Sequence, residues 1–503
     1  MSHASTMETL PRPGHVEPRS LGELADLAGG RLVGADVAVT GITSTSGRAR
    51  PGDLFAALPG RACHGAQFAP EALASGAIAV LTDAAGAAML PAGPVVVVDD
   101  VRARLGEVSA EVYGRPSQAL SVLGVTGTSG KTTTTFLVRA GLAAAGRSSG
   151  LIGTVATMIG DDAVKTGFTT PEAPDVQALL AVMRERGADT VAMEVSSHAL
   201  AMGRTDGIEF AVGAFTNLSQ DHLDFHADME DYFAAKARLF DGRARRPVIV
   251  VDDEWGRRLA VSVGPSAVTV STSGSDATWR ASGVHVEPDG STAFRVHGPG
   301  VDLAAGCRVP GAYNVANALL ALAVLDASGV PPQVAAPAIA AASVPGRMER
   351  IDLGQPFLAI VDYSHKPAAV DGALRALRPL TQGRLIIVLG CGGDRDRAKR
   401  PMMGEVAARD ADLLIVTDDN PRSEDPAAIR AAMLAGVPAE LRERVLEIGD
   451  RAEAIEAAVA AAGPHDTVLV AGKGHETGQE VAGVVHPFDD RNVVRRAIQE
   501  RIG

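Results

Sequence analysis

Short apolar runs recur along the chain, and most are followed by a longer stretch with apolar positions at helical spacing. Between residues 20 and 115 the runs VAVTGIT, DLFAAL, AIAVLTD and PVVVVDD alternate with APEALASGA and VRARLGEVSAEVYG, which predicts a small α/β unit. At Gly114-Arg115-Pro116-Ser117 the helical pattern breaks and a new run, ALSVLG, begins, so a boundary is placed there. Beyond it come TVAMEV and FAVGAFTNL, a glycine-punctuated β-rich stretch from about 265 to 310, and the helix AYNVANALLALAVLDA. From Met348 onward RLIIVLG, DLLIVTDD, RVLEIGD and TVLVAGKG alternate with helices, the rhythm of a parallel Rossmann-like sheet with its ligands at the carboxyl ends of the strands. The expectation is an α/β protein of three domains: an N-terminal α/β domain at 21–115, a central domain at 116–347 with a parallel sheet plus a smaller β-rich part, and a C-terminal Rossmann-like domain at 348–503. Residues 1–20 read as a disordered tail.

Composition narrows the class. The 503 residues are 46% apolar and 21% charged, the balance of a globular protein. VVVV at 95–98 and LIIVLG at 385–390 are strand-sized, well short of the ~20 apolar residues of a membrane span. The first 20 residues lack the apolar core of a signal peptide. A soluble chain is expected, without membrane insertion. A net charge of −13 argues against a nucleic-acid partner, and the one basic run, RARR at 243–246, reads as a solvated loop before the strand PVIVV. Cys63, Cys307 and Cys391 are scattered without metal-ligand spacing, which suits buried small hydrophobes in a reducing cytoplasm.

The most specific chemical signal is GVTGTSGKTT, Gly124–Thr133, between the run ALSVLG and the helical pattern TTFLVRAGLAAAG. Glycines let backbone N–H groups curl around phosphate, the helix start adds partial positive charge, Lys131 reaches the outer phosphates and Thr132 offers a hydroxyl to Mg²⁺. The strict motif has glycine six residues before the lysine; Val125 stands there, and the glycines are Gly124, Gly127 and Gly130. A nucleoside triphosphate is the expected ligand.

Other candidates sit at strand ends. TVAMEV delivers Glu194, a carboxylate suited to Mg²⁺ beside a phosphate loop. NLSQDHLDFH adds His222, weak by itself. Lys236, in YFAAKARLF, reads as an exposed lysine on an amphipathic helix. Arg347 in GRMER could neutralise phosphate charge, and in VDYSHKP, which sets Asp362 and His365 after an apolar run, the aspartate could take ribose hydroxyls, although a linker reading stands beside both. In TDDNPRSEDP, Arg422 suits a carboxylate ligand; with Arg395 as a second fork and Glu476 as partner for an ammonium, one loop set could grip an amino acid by both ends.

Together GVTGTSGKTTTT, MEVSSHAL, NLSQDHLDFH, YFAAKARLF, GAYNVANALLA, VPGRMER, GCGGDRDRAKRP, TDDNPRSEDP and AGKGHE resemble, in order and over nearly the whole chain, the motifs of the Mur ligase family. The resemblance implies an N-terminal domain for a UDP group, a central P-loop ATPase domain and a C-terminal domain bringing an amino acid. It implies that Gly127, Thr128, Ser129, Gly130, Lys131, Thr132 and Thr133 bind ATP, with Asn314 and Asn317 by the adenine, Arg347 by the phosphates, Asp362 by the ribose and His365 also in the ATP site. Thr132, Glu194 and His222 would hold Mg²⁺, two ions in all, joined by Lys236 as a CO₂-derived carbamate; Lys131, Lys236 and Arg347 would be catalytic. Ser46, Thr169, Thr170, Ser196 and Arg204 would bind UDP-MurNAc-L-Ala-D-Glu. Asp419, Asn420, Pro421 and Arg422, supported by Arg395, Gly472 and Glu476, match the signature for meso-diaminopimelate. The implied activity is ATP-dependent ligation of that amino acid in peptidoglycan synthesis, by a cytoplasmic monomer. L-Lysine addition and a P-loop nucleotide-binding protein without ligase activity are the alternatives. The sequence departs from many relatives at Thr45-Ser46-Gly47, where they have DSR, at Met202, where they have Gln, and at YSHKP, where they have YAHTP.

Overall fold

The computed structural model describes residues 10–60, 62–274, 276–287, 290–308 and 311–502. The chain divides into two compact units, one of residues 1–282, 295–304 and 316–339, the other of 283–294, 305–315 and 340–503.

The first unit holds a five-stranded N-terminal sheet, a two-stranded pair of Arg19–Ser20 with Ala38–Val39, and most of an eleven-stranded central sheet. The N-terminal one has the order Arg31–Val33, Val95–Val97, Ala79–Thr82, Asp53–Ala56, Gly41–Thr43, parallel except at its first pair. Its strands are nearly continuous apolar runs because helices cover them: Leu54, Leu81 and Val96 pack with Leu24, Leu105 and Val108. Asp100 caps the helix Val101–Val112 by accepting from the Ala103 amide. The tail is a correction to the sequence reading. Residues 1–9 lie outside the described residues, but Arg12 donates twice to the buried Asp53 carboxylate at 2.6 Å, and Leu10 and Val16 join hydrophobic clusters.

The central sheet has eleven strands. Its parallel heart is Ser149–Ile152, Thr190–Glu194, Ser121–Thr126, Phe210–Phe215, Pro247–Val250 and Val268–Ser271 in that spatial order. A hairpin of Thr157–Ile159 and Asp162–Val164 extends one edge. The β-rich stretch forms Trp279–Val286, Thr292–Gly298 and Val301–Cys307 and continues the other edge of the same sheet. RARR lies in the turn before the strand Pro247–Val250, as expected, with Arg243 paired with Asp206 and Asp241 and the exposed Arg245 with Glu209. Cys307 and Cys391 are buried, whereas Cys63 is only half-buried.

In the second unit the order is Glu349–Ile351, Leu358–Asp362, Thr467–Ala471, Leu385–Leu389, Leu413–Val416, Val445–Glu447, with only the first pair antiparallel. The last strand in sequence but one pair of elements, Thr467–Ala471, inserts between Leu358–Asp362 and Leu385–Leu389. Loops at the carboxyl ends of these adjacent strands therefore converge, as at a topological switch point. A hairpin, Gly478–Val481 with Val484–Pro487, follows. Among the described residues no helix is long and apolar enough to cross a membrane.

Candidate active site

The phosphate loop joins the strand Ser121–Thr126 to the helix Lys131–Ala144. Val125 lies inside the buried strand, pairing in register with Glu194 and Ala214, so the chain has no turn for a glycine to make there. The turn needs glycine at Gly127 and Gly130, both in the left-handed region with φ of 142° and 86°. A β-carbon would strike Thr216 Oγ1 at the first and Asn317 Oδ1 at the second. Asn217 accepts the Thr128 amide through its carbonyl and the Ser129 amide through its side chain. Lys131 folds back to donate to Gly127 O at 2.7 Å and Thr128 O at 2.9 Å. Thr132 is buried in the first turn, where helix N–H groups lack intrahelical partners.

Lys236 overturns its expected exposure. It is 1% exposed, donates to Gly127 O at 2.8 Å and lies 4.5 Å from the centre of the Tyr232 ring. Helix Met229–Ala237 brings both residues under the loop, and the Tyr232 hydroxyl stands 3.2 Å from Thr128 Oγ1. Glu194, also buried, accepts from Thr154 N at 2.9 Å and Thr154 Oγ1 at 3.1 Å, both neutral donors. His222 is partly exposed, with its ring 4.9 Å from that of His198 and 6.0 Å from Tyr232. Among the described residues no three His, Cys, Asp or Glu side chains are grouped to hold a metal. A cation bound here would complete its shell with other oxygens, which fits the hard-oxygen character of Thr132 and Glu194.

Of the residues expected to meet the dipeptide, four gather beside Glu194. Thr169 Oγ1 is 2.9 Å from Thr154 Oγ1, and Thr170 Oγ1 donates to Glu194 O at 2.9 Å and accepts from Ser196 N at 3.1 Å. Arg204 donates to Thr170 O, pairs with Glu172 at 2.8 Å and covers the exposed Phe168 ring. Met202 Sδ lies 3.8 Å from the same guanidinium. Ser46 opens the short turn Ser46–Arg48 that follows the strand Gly41–Thr43 and donates to Glu71 at 2.6 Å, while Arg48, two residues on, reaches Asp175 at 2.8 Å.

In the second unit Arg347 stacks on Tyr363 at 4.4 Å, its Nε buried without a hydrogen-bond partner. Asp362 accepts from Met348 N, Ser364 N and the Ser364 hydroxyl. Burial, then the charge of Lys366, holds His365 down at about 4, and burial with Arg347 holds His475 at about 3. Asn314 and Asn317 are both buried, three residues apart on helix Ala312–Ala327.

The carboxyl ends of Leu413–Val416 and Thr467–Ala471 bring Asn420 and Glu476 into contact: Asn420 Nδ2 donates to Glu476 Oε2 at 2.8 Å. Gly472, with φ of 118°, lets Asp419 Oδ2 approach to 2.5 Å of where a β-carbon would be. Arg422 takes a left-handed φ of 54°, its guanidinium donates to Gly393 O at 2.6 Å and lies 3.4 Å from Glu480. Arg395 lies close enough to act electrostatically on Tyr363, as do Glu476, Arg347 and Asp419. Sequence reasoning passed over Lys473, which is fully buried between Asn420 and Glu476, although a lysine between two glycines straight after a strand was a usable signal. It also passed over Thr154 and the fully buried pair Arg451–Asp490, whose arginine donates to Ala471 O beneath the same loops.

A phosphate loop on one parallel sheet and an acid-and-base loop cluster on a Rossmann-like sheet define a nucleotide-dependent ligase architecture. Family models agree: Mur ligase family, catalytic domain, matches residues 38–113, Mur ligase middle domain 125–325, and Mur ligase, glutamate ligase domain, 346–474. The chain is 56% identical to the UDP-N-acetylmuramoyl-L-alanyl-D-glutamate--2,6-diaminopimelate ligase of Streptomyces avermitilis, over 98% of this chain and 99% of that protein. It is 54% identical to the protein of the same name from Corynebacterium glutamicum, over 89% of each. A solved structure of a ligase of that name superposes with a TM-score of 0.70 at 32% identity, over 97% of this chain and 100% of the other. The chain belongs to the Mur ligase family, ATP-dependent ligases that form a peptide bond.

Proposed function

We propose that the protein adds meso-2,6-diaminopimelate to UDP-N-acetylmuramoyl-L-alanyl-D-glutamate, forming UDP-MurNAc-tripeptide, ADP and phosphate. The observation that carries this reading is the loop cluster in which Asn420 and Glu476 touch while Arg422 is held beside them by Gly393 and Glu480. Such a cluster offers a carboxylate to an ammonium and a guanidinium to a carboxylate. L-Lysine, the alternative amino acid, has no far-end carboxylate for Arg422, and the relatives named above carry diaminopimelate in their names.

In the first step the terminal carboxylate of the UDP-dipeptide attacks the γ-phosphorus of ATP, and ADP leaves. The acyl phosphate then accepts the amine of diaminopimelate, the new C–N bond forms, and phosphate departs with the carbonyl electrons restored. Carboxylate oxygen is a poor leaving group and phosphate a good one, so the ATP step supplies the activation. Lys131 would leave its loop carbonyls for the triphosphate, and Arg347 would offset charge on the moving phosphoryl group. Thr132, Glu194, His222 and carbamylated Lys236 would hold Mg²⁺, whose chemistry is to neutralise charge on the phosphate oxygens. Asn314, Asn317, Asp362 and His365 would line the nucleoside. Ser46, Thr169, Thr170, Ser196 and Arg204 would take the UDP-dipeptide, so residues 21–115 serve that substrate, 116–347 ATP and 348–503 the amino acid.

Phosphate release is the test. It should require ATP, the UDP-dipeptide and meso-diaminopimelate together, with L-lysine at least ~10-fold poorer in kcat/KM. Release from ATP alone at the full rate, or faster turnover with lysine, would sink the reading. For Lys236, ¹³CO₂ should give a carbamate carbon signal that the Lys236→Arg variant lacks; a signal unchanged in that variant removes the carbamate.

A further inference from the structure

Lysine is among the residues least often fully buried, and a buried ammonium is tolerated only where its protons are matched. Lys473 has no exposure at all, and it lies one residue past Gly472 at the carboxyl end of the strand Thr467–Ala471. Its Nζ donates to Asn420 Oδ1 at 2.9 Å and to Glu476 Oε2 at 3.1 Å. The same two side chains are joined directly, Asn420 Nδ2 to Glu476 Oε2 at 2.8 Å, so lysine, amide and carboxylate form a closed three-membered ring. Asn420 Oδ1 is also the acceptor for Glu480 N at 3.0 Å, and Gln479 donates to Asp419 O at 2.8 Å, which ties the ring to the hairpin beyond.

The bonding leaves a definite remainder. Both acceptor sites of the Asn420 carbonyl are occupied, by Lys473 and by Glu480 N. Glu476 Oε2 takes two donors, and Glu476 Oε1 is the oxygen the ring does not use. The Arg451 guanidinium, fully buried against Asp490, also acts electrostatically on Asp419 and Glu476, so two cations lie beneath two acidic side chains. An ammonium group arriving at Glu476 then meets a fixed carboxylate oxygen rather than a mobile side chain, at no entropic cost for ordering it on binding.

We propose that Lys473 is a positioning residue for amino-acid selection: it locks the Glu476 carboxylate and the Asn420 amide into one geometry, so that Glu476 Oε1 reads the ammonium of the incoming amino acid. The inference rests on the diaminopimelate reading above and adds to it a residue that acts only through its neighbours.

The test is a double-mutant cycle in the full-length enzyme, with Lys473→Met and Glu476→Gln alone and combined. Lys473→Met should raise the KM for meso-diaminopimelate about 30-fold or more, with the KM values for ATP and the UDP-dipeptide within twofold of the parent. The combined variant should be no worse than Glu476→Gln alone, because the lysine has nothing left to position. A rise in all three KM values together, or full multiplication of the two single effects, overturns the proposal in favour of a structural role. So does a Lys473→Met enzyme with parental kinetics. If Lys473→Met does not fold by circular dichroism, Lys473→Gln, which keeps a donor for Asn420, takes its place in the cycle; failure of both to fold likewise overturns it. A parent enzyme that turns over with no amino acid overturns the ligase reading itself, and that result is distinct because it appears before any substitution.

Discussion

At the scale of single residues, the chemistry that matters most is charge taken out of water. Lys236 and Lys473 are both fully or almost fully buried, and the sequence reading anticipated neither burial. A lysine on an amphipathic helix is ordinarily solvated, and only the tertiary arrangement shows that Gly127 O and the Tyr232 ring receive Lys236. Loop motifs, by contrast, were legible because strand ends are where a parallel sheet must place its ligands, and DNPR and GKGHE do meet through Asn420 and Glu476. The buried histidines give a prediction at this scale. His365 and His475 stay neutral in the folded protein down to about 4 and about 3, whereas an unfolded histidine titrates near 6.5. Below about 6.5 the unfolded chain therefore binds more protons than the folded one, so stability is complete above that pH and declines as pH falls toward 4. Each histidine contributes at most about 1.4 kcal/mol per pH unit within that window. Thermal unfolding between pH 7.5 and pH 5 should show the midpoint falling, and His475→Gln should flatten the slope. A slope identical in the variant would remove His475 from the account.

At the scale of elements, the parallel strands were read well because burial on both faces leaves near-continuous apolar runs such as LIIVL and TVLVA, and the helix AYNVANALLALAVLDA runs Ala312–Ala327 as its pattern predicts. The hairpins Thr157–Val164 and Gly478–Pro487 escaped notice: their strands are three or four residues long, partly polar and partly exposed, so period-two patterning is too short to register. Between strand and helix, the phosphate loop depends on backbone shapes that only glycine adopts freely. Gly127→Ala would force a left-handed φ of 142° on a residue with a side chain and push against Thr216, whose hydroxyl donates to Ser129 O at 2.6 Å. The expected cost is about 2 kcal/mol in the first unit, seen as a lower urea midpoint. The KM for ATP should rise at least ~10-fold while that for the amino acid holds, since the amino-acid loops belong to another sheet. An unchanged KM for ATP would show that the loop tolerates the shift and would detach Gly127 from triphosphate binding.

At the scale of the whole molecule, the three stretches matched by family models do not each own a separate core. Helix Ala173–Glu185 is buried nearly all round. Its Ala173, Ala178 and Ala181 belong to the cluster of the N-terminal sheet, while Val176, Leu179, Leu180, Val182 and Met183 belong to that of the central sheet. Small residues on one face and large ones on the other let a single helix close two cores, which the sequence hid because an all-round apolar helix has no preferred face to read. The N-terminal segment adds a second tie, with Arg12 on Asp53, Gly14 N on Glu185 and Leu10 in the central cluster. A domain whose core is completed by another segment buries too little of its own surface to stand alone. Residues 21–115 expressed as an isolated fragment should therefore lack cooperative unfolding and give poorly dispersed amide proton spectra. Extending the fragment through the central region, to residue 339, should restore a single cooperative transition in urea. If the short fragment folds by itself with a sharp transition, the shared helix is a contact between two finished domains and not a common core. In the full-length chain the same logic assigns the N-terminal and central sheets one joint transition, and Ala178→Asp, which puts a carboxylate between them, should lower that transition as a whole rather than split it.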